Sequence, residues 1–429
     1  MNKNMIHALK STAEVAAKID ENNHDLAVSE QRTTSDDSCA GSSGNEDNNE
    51  SKKRIKIIEE VYRPALRLMM LSGSYFGHTS FDKFQDTSSR PQKQCQLSRF
   101  YCFTVACCLW INFFMSVISI FYDGRDIYLL IMFASWTLMV SLMGTTCLIV
   151  LPLTSSRRSR FQHFLLKLVT VHFEPEILRG IVSKAKLYAN VFSIVVIFAI
   201  GAEIISDIFL DINIGTYEPW KRLRILRIII QFFCSYGIAV WFTFPFFCTT
   251  CNLLEALFDD FNKRVSSLPL NSTVSVTALR EQHRHLSQVV QIADNMVSPL
   301  LCEAVGFFIP VICFTFYQIT HADLSKQKIT AIGHIGVNSF WLLSSSGILL
   351  MVMTFGSRLN EKIHAIQKIV QTLHVAPEDE GKLLLFVIDL QDEPRGVTVG
   401  GFAVITKSLS LTIFGLIVSY FTVMLSLPD

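Results

Sequence analysis

The sequence predicts an all-α protein that crosses a membrane seven times. Three observations lead there. Half of the 429 residues are hydrophobic and only 17 % are charged, where a soluble domain carries about a quarter. The mean hydropathy is positive. The apolar residues also gather into long uninterrupted blocks, and seven of these reach the ~20 residues a helix needs to cross the hydrocarbon core.

The chain opens on a polar segment, residues 1–57, rich in Ser, Asp, Asn and Glu, as in "SEQRTTSDDSCAGSSGNEDNNESKK". It has too little apolar surface to offset the entropy of ordering, which predicts a disordered tail. It lacks a basic start followed by an apolar run and a small-residue cleavage site, so the first span is expected to act as the insertion signal. The remaining domain, 58–428, holds spans at about 101–122, 127–153, 187–212, 228–254, 297–320, 329–355 and 408–427. The first, second, fourth and seventh contain no charged residue; the third carries Glu203, Asp207 and Asp211, and the fifth carries Glu303.

Basic residues set the orientation. The segments up to Phe100 and at 154–186, 255–296 and 356–407 hold thirty-one Lys and Arg, against seven in 123–126, 213–227 and 321–328. The first group is therefore expected in the cytoplasm together with the N-terminus, and an odd number of spans then leaves the C-terminus outside. This order is the reverse of G-protein-coupled receptors, whose Asp-Arg-Tyr and Asn-Pro-x-x-Tyr motifs are also missing. The sequons at Asn49 and Asn271 fall on the cytoplasmic side, where no glycan is expected.

Three cytoplasmic stretches read as helices. Residues 275–296 and 356–374 repeat apolar side chains at helical spacing; the first runs into the fifth span and the second continues the sixth. The second of these places Leu359, Ile363, Ile366, Ile369 and Val370 on one face. A short apolar helix at 380–392 precedes the last span. Such stripes must be buried against protein or the membrane surface, and together they predict an intracellular helical bundle. The eleven cysteines lie mostly in apolar blocks and read as small buried hydrophobes. "CTTC" at Cys248–Cys251 has zinc-like spacing without a second ligand pair, so no metal is expected. "HRH" at His283–His285 reads as a solvated surface.

The C-terminal stretch "LLLFVIDLQ…VGGFAVITKSLSLTIFGLIVSYFTVMLSL" resembles the ending of insect-type gustatory receptors and their odorant-receptor relatives. That ending has a short apolar helix, a Gly-Phe turn (here Gly401-Phe402), a polar step (Thr406-Lys407-Ser408), then a final span closing on Thr-Tyr and Gln-Phe. Ser419-Tyr420 and Ser426-Leu427 stand at those last two places. "YRPALRLMMLSGSYFG" before the first span is a weaker match. The resemblance covers roughly residues 58–428 and marks a divergent member.

The resemblance implies a chemosensory receptor of the plasma membrane that acts as a ligand-gated, nonselective cation channel. Its partners would be a small organic ligand, itself as a tetramer or related receptor subunits, membrane lipid and permeant cations; no cofactor and no nucleic acid are implied. The last helix of each subunit would line one pore, with Ser419, Val423 and Ser426 on one helix face and a ring of Val423 as the gate. The ligand pocket would draw on Tyr128, Trp136, Glu203, Asp207, Gln231, Tyr236, Tyr317, Gln318, Asn338 and Trp341. Aromatic side chains with a few polar groups suit a small organic molecule. Two alternatives stay open: a light, peroxide or developmental receptor of the same superfamily, and a transporter. No nucleophile–base constellation or phosphate loop points to an enzyme.

Overall fold

The computed structural model describes residues 44–75, 92–122, 127–150, 160–171, 173, 175–214, 238–267, 275–321, 328–372, 379–391 and 395–426. The chain forms two units, Met1–Lys52 and Lys53–Asp429. In the first, the described part is the opening of helix α1 (Gly44–Leu71). That helix begins inside the segment expected to be a disordered tail. From Ile58 it presents Val61, Tyr62, Ala65, Leu66 and Met69 to the interior, the spacing of one helix face. It ends at Gly73, whose φ of +71° supplies a left-handed cap.

The second unit is a helical bundle. After α1 come α2 (Gln92–Tyr122), α3 (Ile127–Val150), α4 (Arg160–Thr170), α5 (Pro175–Ile214) and a 3₁₀ turn (Ile238–Phe242). Then follow α6 (Thr243–Ser266), α7 (Val276–Thr320), α8 (Lys328–Gln371), α9 (Glu380–Gln391), a hairpin of β1 (Thr398–Val399) and β2 (Ala403–Val404), and α10 (Lys407–Leu425). Spans five and six and the cytoplasmic stretches expected to adjoin them are two continuous helices, α7 of 45 residues and α8 of 44.

Helix α6 sits at the centre. It packs on α5, α7 and α8, and Phe244 to Leu254 are buried almost without interruption. Several of its buried polar groups find partners, as buried ones usually do. Thr250 Oγ1 accepts from Tyr62 at 3.3 Å, and Asn252 donates to Tyr188 at 2.7 Å. Cys248 and Cys251 are free and buried. Among the described residues, five helices are long and apolar enough to cross a membrane, and two shorter apolar helices accompany them. Many apolar side chains on α2, α5 and α10 face outward, the burial pattern of a protein solvated by lipid rather than water.

Below the spans, on the side of the basic loops, the predicted stripe of α8 is buried through Leu359, Ile363, Ile366 and Val370. Ion pairs tie the elements there: Arg280 to Asp389 at 2.6 Å, Lys362 to Asp259 at 2.6 Å, Arg358 to Glu255 at 3.1 Å, and Lys407 to Glu361. Lys362 and Lys263 together hold the Asp259 carboxyl below its ordinary range.

The reading of "HRH" as a solvated surface is corrected. His285 is partly exposed and pairs with Glu281, but His283 is buried among Phe258, Phe261 and Phe386. Arg395 Nη1 lies 3.3 Å from its Nδ1. A guanidinium can only donate, so Nδ1 accepts and the proton sits on Nε2, which finds no partner among the described residues. Burial first, then the nearby Arg395 and His364, push the imidazole down to about 4, against a smaller opposing pull from Asp389. Sequence spacing saw two different helix faces; it could not see that α6, α9 and the 395 segment close over one of them.

Candidate functional site

Two constellations stand out, one within the bundle and one on its surface. The first lies in the half of the bundle that bears the short, weakly basic connections. Trp136 of α3 and Trp341 of α8 have ring centroids 4.7 Å apart, and Trp241 of the 3₁₀ turn stands edge-on to both at 5.7 and 5.8 Å. Phe308 of α7 closes on Trp241 at 6.2 Å, and Phe340 flanks Trp341 at 5.8 Å. These tilted and edge-to-face geometries are the favourable ones for aromatic pairs. Around them are buried polar atoms without a partner among the described residues: Trp241 Nε1, Thr243 Oγ1, Ser345 Oγ and, further along α7, Gln318 Oε1. Aromatic walls with a few unsatisfied donors and acceptors can take up a small, mainly apolar molecule bearing one or two polar groups.

Of the ten candidate ligand residues, Trp136 and Trp341 are brought together. Asn338 is half-buried one turn before Trp341. Tyr317 stacks on His321 at 4.1 Å, near the end of α7, and the adjacent Gln318 is half-buried. Tyr128, Glu203 and Asp207 lie in α3 and α5, but their side chains are outside the described residues, as are Gln231 and Tyr236 altogether. Trp241, Phe308 and Ser345 belong to the cluster and were not singled out from sequence. The usable signals were a Trp within the fourth apolar block and a Ser triplet, Ser344–Ser346, at membrane depth.

Farther along α3 and α7, Glu303 receives a hydrogen bond from Thr146, and its second oxygen has no partner among the described residues. Its partner is thus a hydroxyl of α3 rather than a basic side chain. A carboxyl at membrane depth facing a neighbouring helix avoids the larger cost of facing lipid.

The second constellation is α10. Its inner face carries Leu409, Ile413 and Ile417 onto the core, and Phe421 meets Phe316 of α7 edge-on at 4.0 Å. Ser419, Val423 and Ser426 lie on the opposite side and are exposed, Val423 by 57 %. Ser419 and Ser426 return their hydroxyls to the helix, donating to the carbonyls of Gly415 and Val423 at 2.8 and 2.7 Å. The stripe therefore presents small apolar and self-satisfied polar surface.

The start of α10 is held firmly. Asp294 of α7 accepts from the Thr398 amide at 2.6 Å and from its hydroxyl at 2.9 Å; burial pushes its carboxyl up, against the pull of these donors. Gly400 and Gly401 have φ of +63° and +77°, which only glycine adopts at little cost. A Cβ on Gly400 would lie 2.9 Å from Cys302 Sγ. Ile405 seats against Gly356, where a Cβ would meet it at 2.7 Å.

Comparison with known proteins bears on both constellations. The family model described as 7tm chemosensory receptor matches residues 66–425. No curated protein's sequence matches this one. Among solved structures, the chain is similar to the insect olfactory receptor OR5 from Machilis hrabei, with TM-score 0.67 and 11 % identity over 87 % of this chain and 99 % of that one. Its complex with eugenol matches with TM-score 0.66, at the same identity and coverage. At that identity the likeness shows the fold.

Proposed function

Because the chain belongs to the 7tm chemosensory receptor family, we propose that this multi-pass membrane receptor is a gustatory-type, ligand-gated cation channel of the plasma membrane. It works as a tetramer, of itself or with related subunits, with its N-terminus in the cytosol and its C-terminus outside. The observation that carries the reading is the division of α10: one face is packed on α7 and α8, while the face with Ser419, Val423 and Ser426 is open. Four such faces around an axis would enclose a path in which Val423 is the apolar constriction, closing by dewetting. Small organic molecules are the proposed stimuli. The indole cluster supports this, as does the relative's complex with eugenol.

The test is expression of this chain alone in cells without endogenous receptors, with surface labelling and current recording while eugenol and other small phenols and esters are applied. A stimulus-dependent cation current is expected. Val423→Ala should raise the unstimulated current several-fold, and Trp136→Ala should shift the effective concentration upward about tenfold, as loss of one aromatic contact of about 1.4 kcal/mol predicts. Surface-expressed protein without conductance under any stimulus would remove the homomeric channel and favour a subunit-dependent or non-channel role.

The same three indoles favour a second reading, a light receptor of this superfamily, since contacting Trp rings absorb in the near ultraviolet. Current evoked by ultraviolet flashes without added ligand, and lost in Trp241→Phe, would favour it.

A further inference from the structure

The end of α6 carries a pattern that the channel reading leaves unused: Lys263-Arg264-Val265-Ser266-Ser267. Two cations stand three and two residues before Ser266, and four and three before Ser267. Their spacing from a hydroxyl matches what the acidic pockets of basophilic serine kinases read. All four polar side chains are exposed, whereas Val265 between them is buried, so the hydroxyls and the charges that would identify them share the solvent side. Ser266 closes the helix and Ser267 is its C-cap. Chain ends of this kind open locally at small cost, which an extended kinase groove requires. We propose that Ser266 and Ser267 form a phosphoacceptor site for a basophilic, ATP-dependent serine kinase.

The reaction is a simple displacement. The serine Oγ attacks the γ-phosphorus of ATP, the Oγ–P bond forms as the bond to the bridging oxygen breaks, ADP leaves, and the hydroxyl proton passes to the kinase's base. The structural consequence follows from what the hydroxyls do now. Ser266 Oγ donates to the Lys263 carbonyl at 2.9 Å and Ser267 Oγ to that of Arg264 at 3.0 Å. A phosphate there loses both donors and sets about two negative charges at the negative end of the helix dipole. It also competes for Lys263 and Arg264, which now pair with Asp259 at 2.8 Å and Asp260 at 3.1 Å. Asp259 is the carboxylate that Lys362 of α8 shares. Modification therefore acts on the tie between α6 and α8, the rod that carries Trp341 at one end and Glu361, the partner of Lys407, at the other.

In a cell the site needs this end of α6 in the cytosol, the orientation proposed above. The purified full chain in detergent does not, so the two ideas fail separately. Incubation with the catalytic subunit of an Arg-directed serine kinase and ATP, followed by peptide mass spectrometry, should place phosphate on Ser266 or Ser267. Arg264→Ala should cut the initial rate at least tenfold, while Arg284→Ala, an exposed arginine on α7, should leave it unchanged. Amide exchange across 259–267 should quicken in the phosphorylated protein. An unmodified α6 end, or equal transfer in Arg264→Ala that elutes as a folded protein, would overturn the proposal.

Discussion

His283 shows how much one buried imidazole can make of pH. Its folded value lies near 4 and its unfolded value near 6.5, so below 6.5 the unfolded chain takes up the proton first. Its contribution to stability is then whole above pH 6.5 and declines as pH falls toward 4, by up to about 3 kcal/mol at the low end. Thermal unfolding of the purified protein between pH 7.5 and 4.5 should show that decline, and His283→Gln should flatten it. An unchanged slope in the variant would place the acid sensitivity on other groups, such as His364, whose imidazole burial also holds below its ordinary value. At this scale the sequence was legible in part. Trp136 and Trp341 could be chosen as aromatics placed within the second and sixth spans. Trp241 had the same kind of signal and was passed over; the burial of His283 had none, because it depends on which helices close over it, and helical spacing gives a face without its neighbour.

At the scale of elements, the β1–β2 hairpin and the first turn of α10 depend on glycines that leave no room. Gly356 lies within α8, where Ala would ordinarily gain about 1 kcal/mol in helix propensity. Its added methyl would instead press on Ile405 at 2.7 Å, and Ile405 is fully buried with its amide donating to Val397. Overpacking of this kind costs about 1–3 kcal/mol. Gly356→Ala should therefore lower the unfolding temperature, and Ile405→Val in the same chain should restore part of the loss; a neutral single variant would show that the segment shifts freely. The helices themselves were largely readable from apolar blocks and from the stripe of Leu359, Ile363, Ile366 and Val370. Their continuity was readable too: "GSRLNEK" ends the apolar block, yet the apolar stripe runs on through it and nothing in its backbone preference stops a helix.

For the whole molecule, the seven-helix architecture followed from hydropathy, and family membership from the last fifty residues. The proposed arrangement of copies around an axis is not in the pattern at all, because a surface that would meet a second subunit is apolar in the same way as one that would meet lipid. Orientation is the claim on which the molecular reading turns. An epitope at Asp429 should be labelled on intact cells and one at Met1 only after permeabilisation, and Asn271 should carry no glycan removable by amidase. Sugar at Asn271 would reverse the assignment of every loop.

The two unbroken rods have a mechanical consequence. At a rise of 1.5 Å per residue, the 45 residues of α7 extend for about 67 Å, far more than a bilayer core is thick. Tilting such a beam by only ~5° about one end carries the other through ~6 Å, roughly a full helical pitch. On the channel proposed above, a molecule wedged among the indoles would need to displace its surroundings very little to move the far ends of α7 and α8, and the hairpin seated against them, by several ångströms.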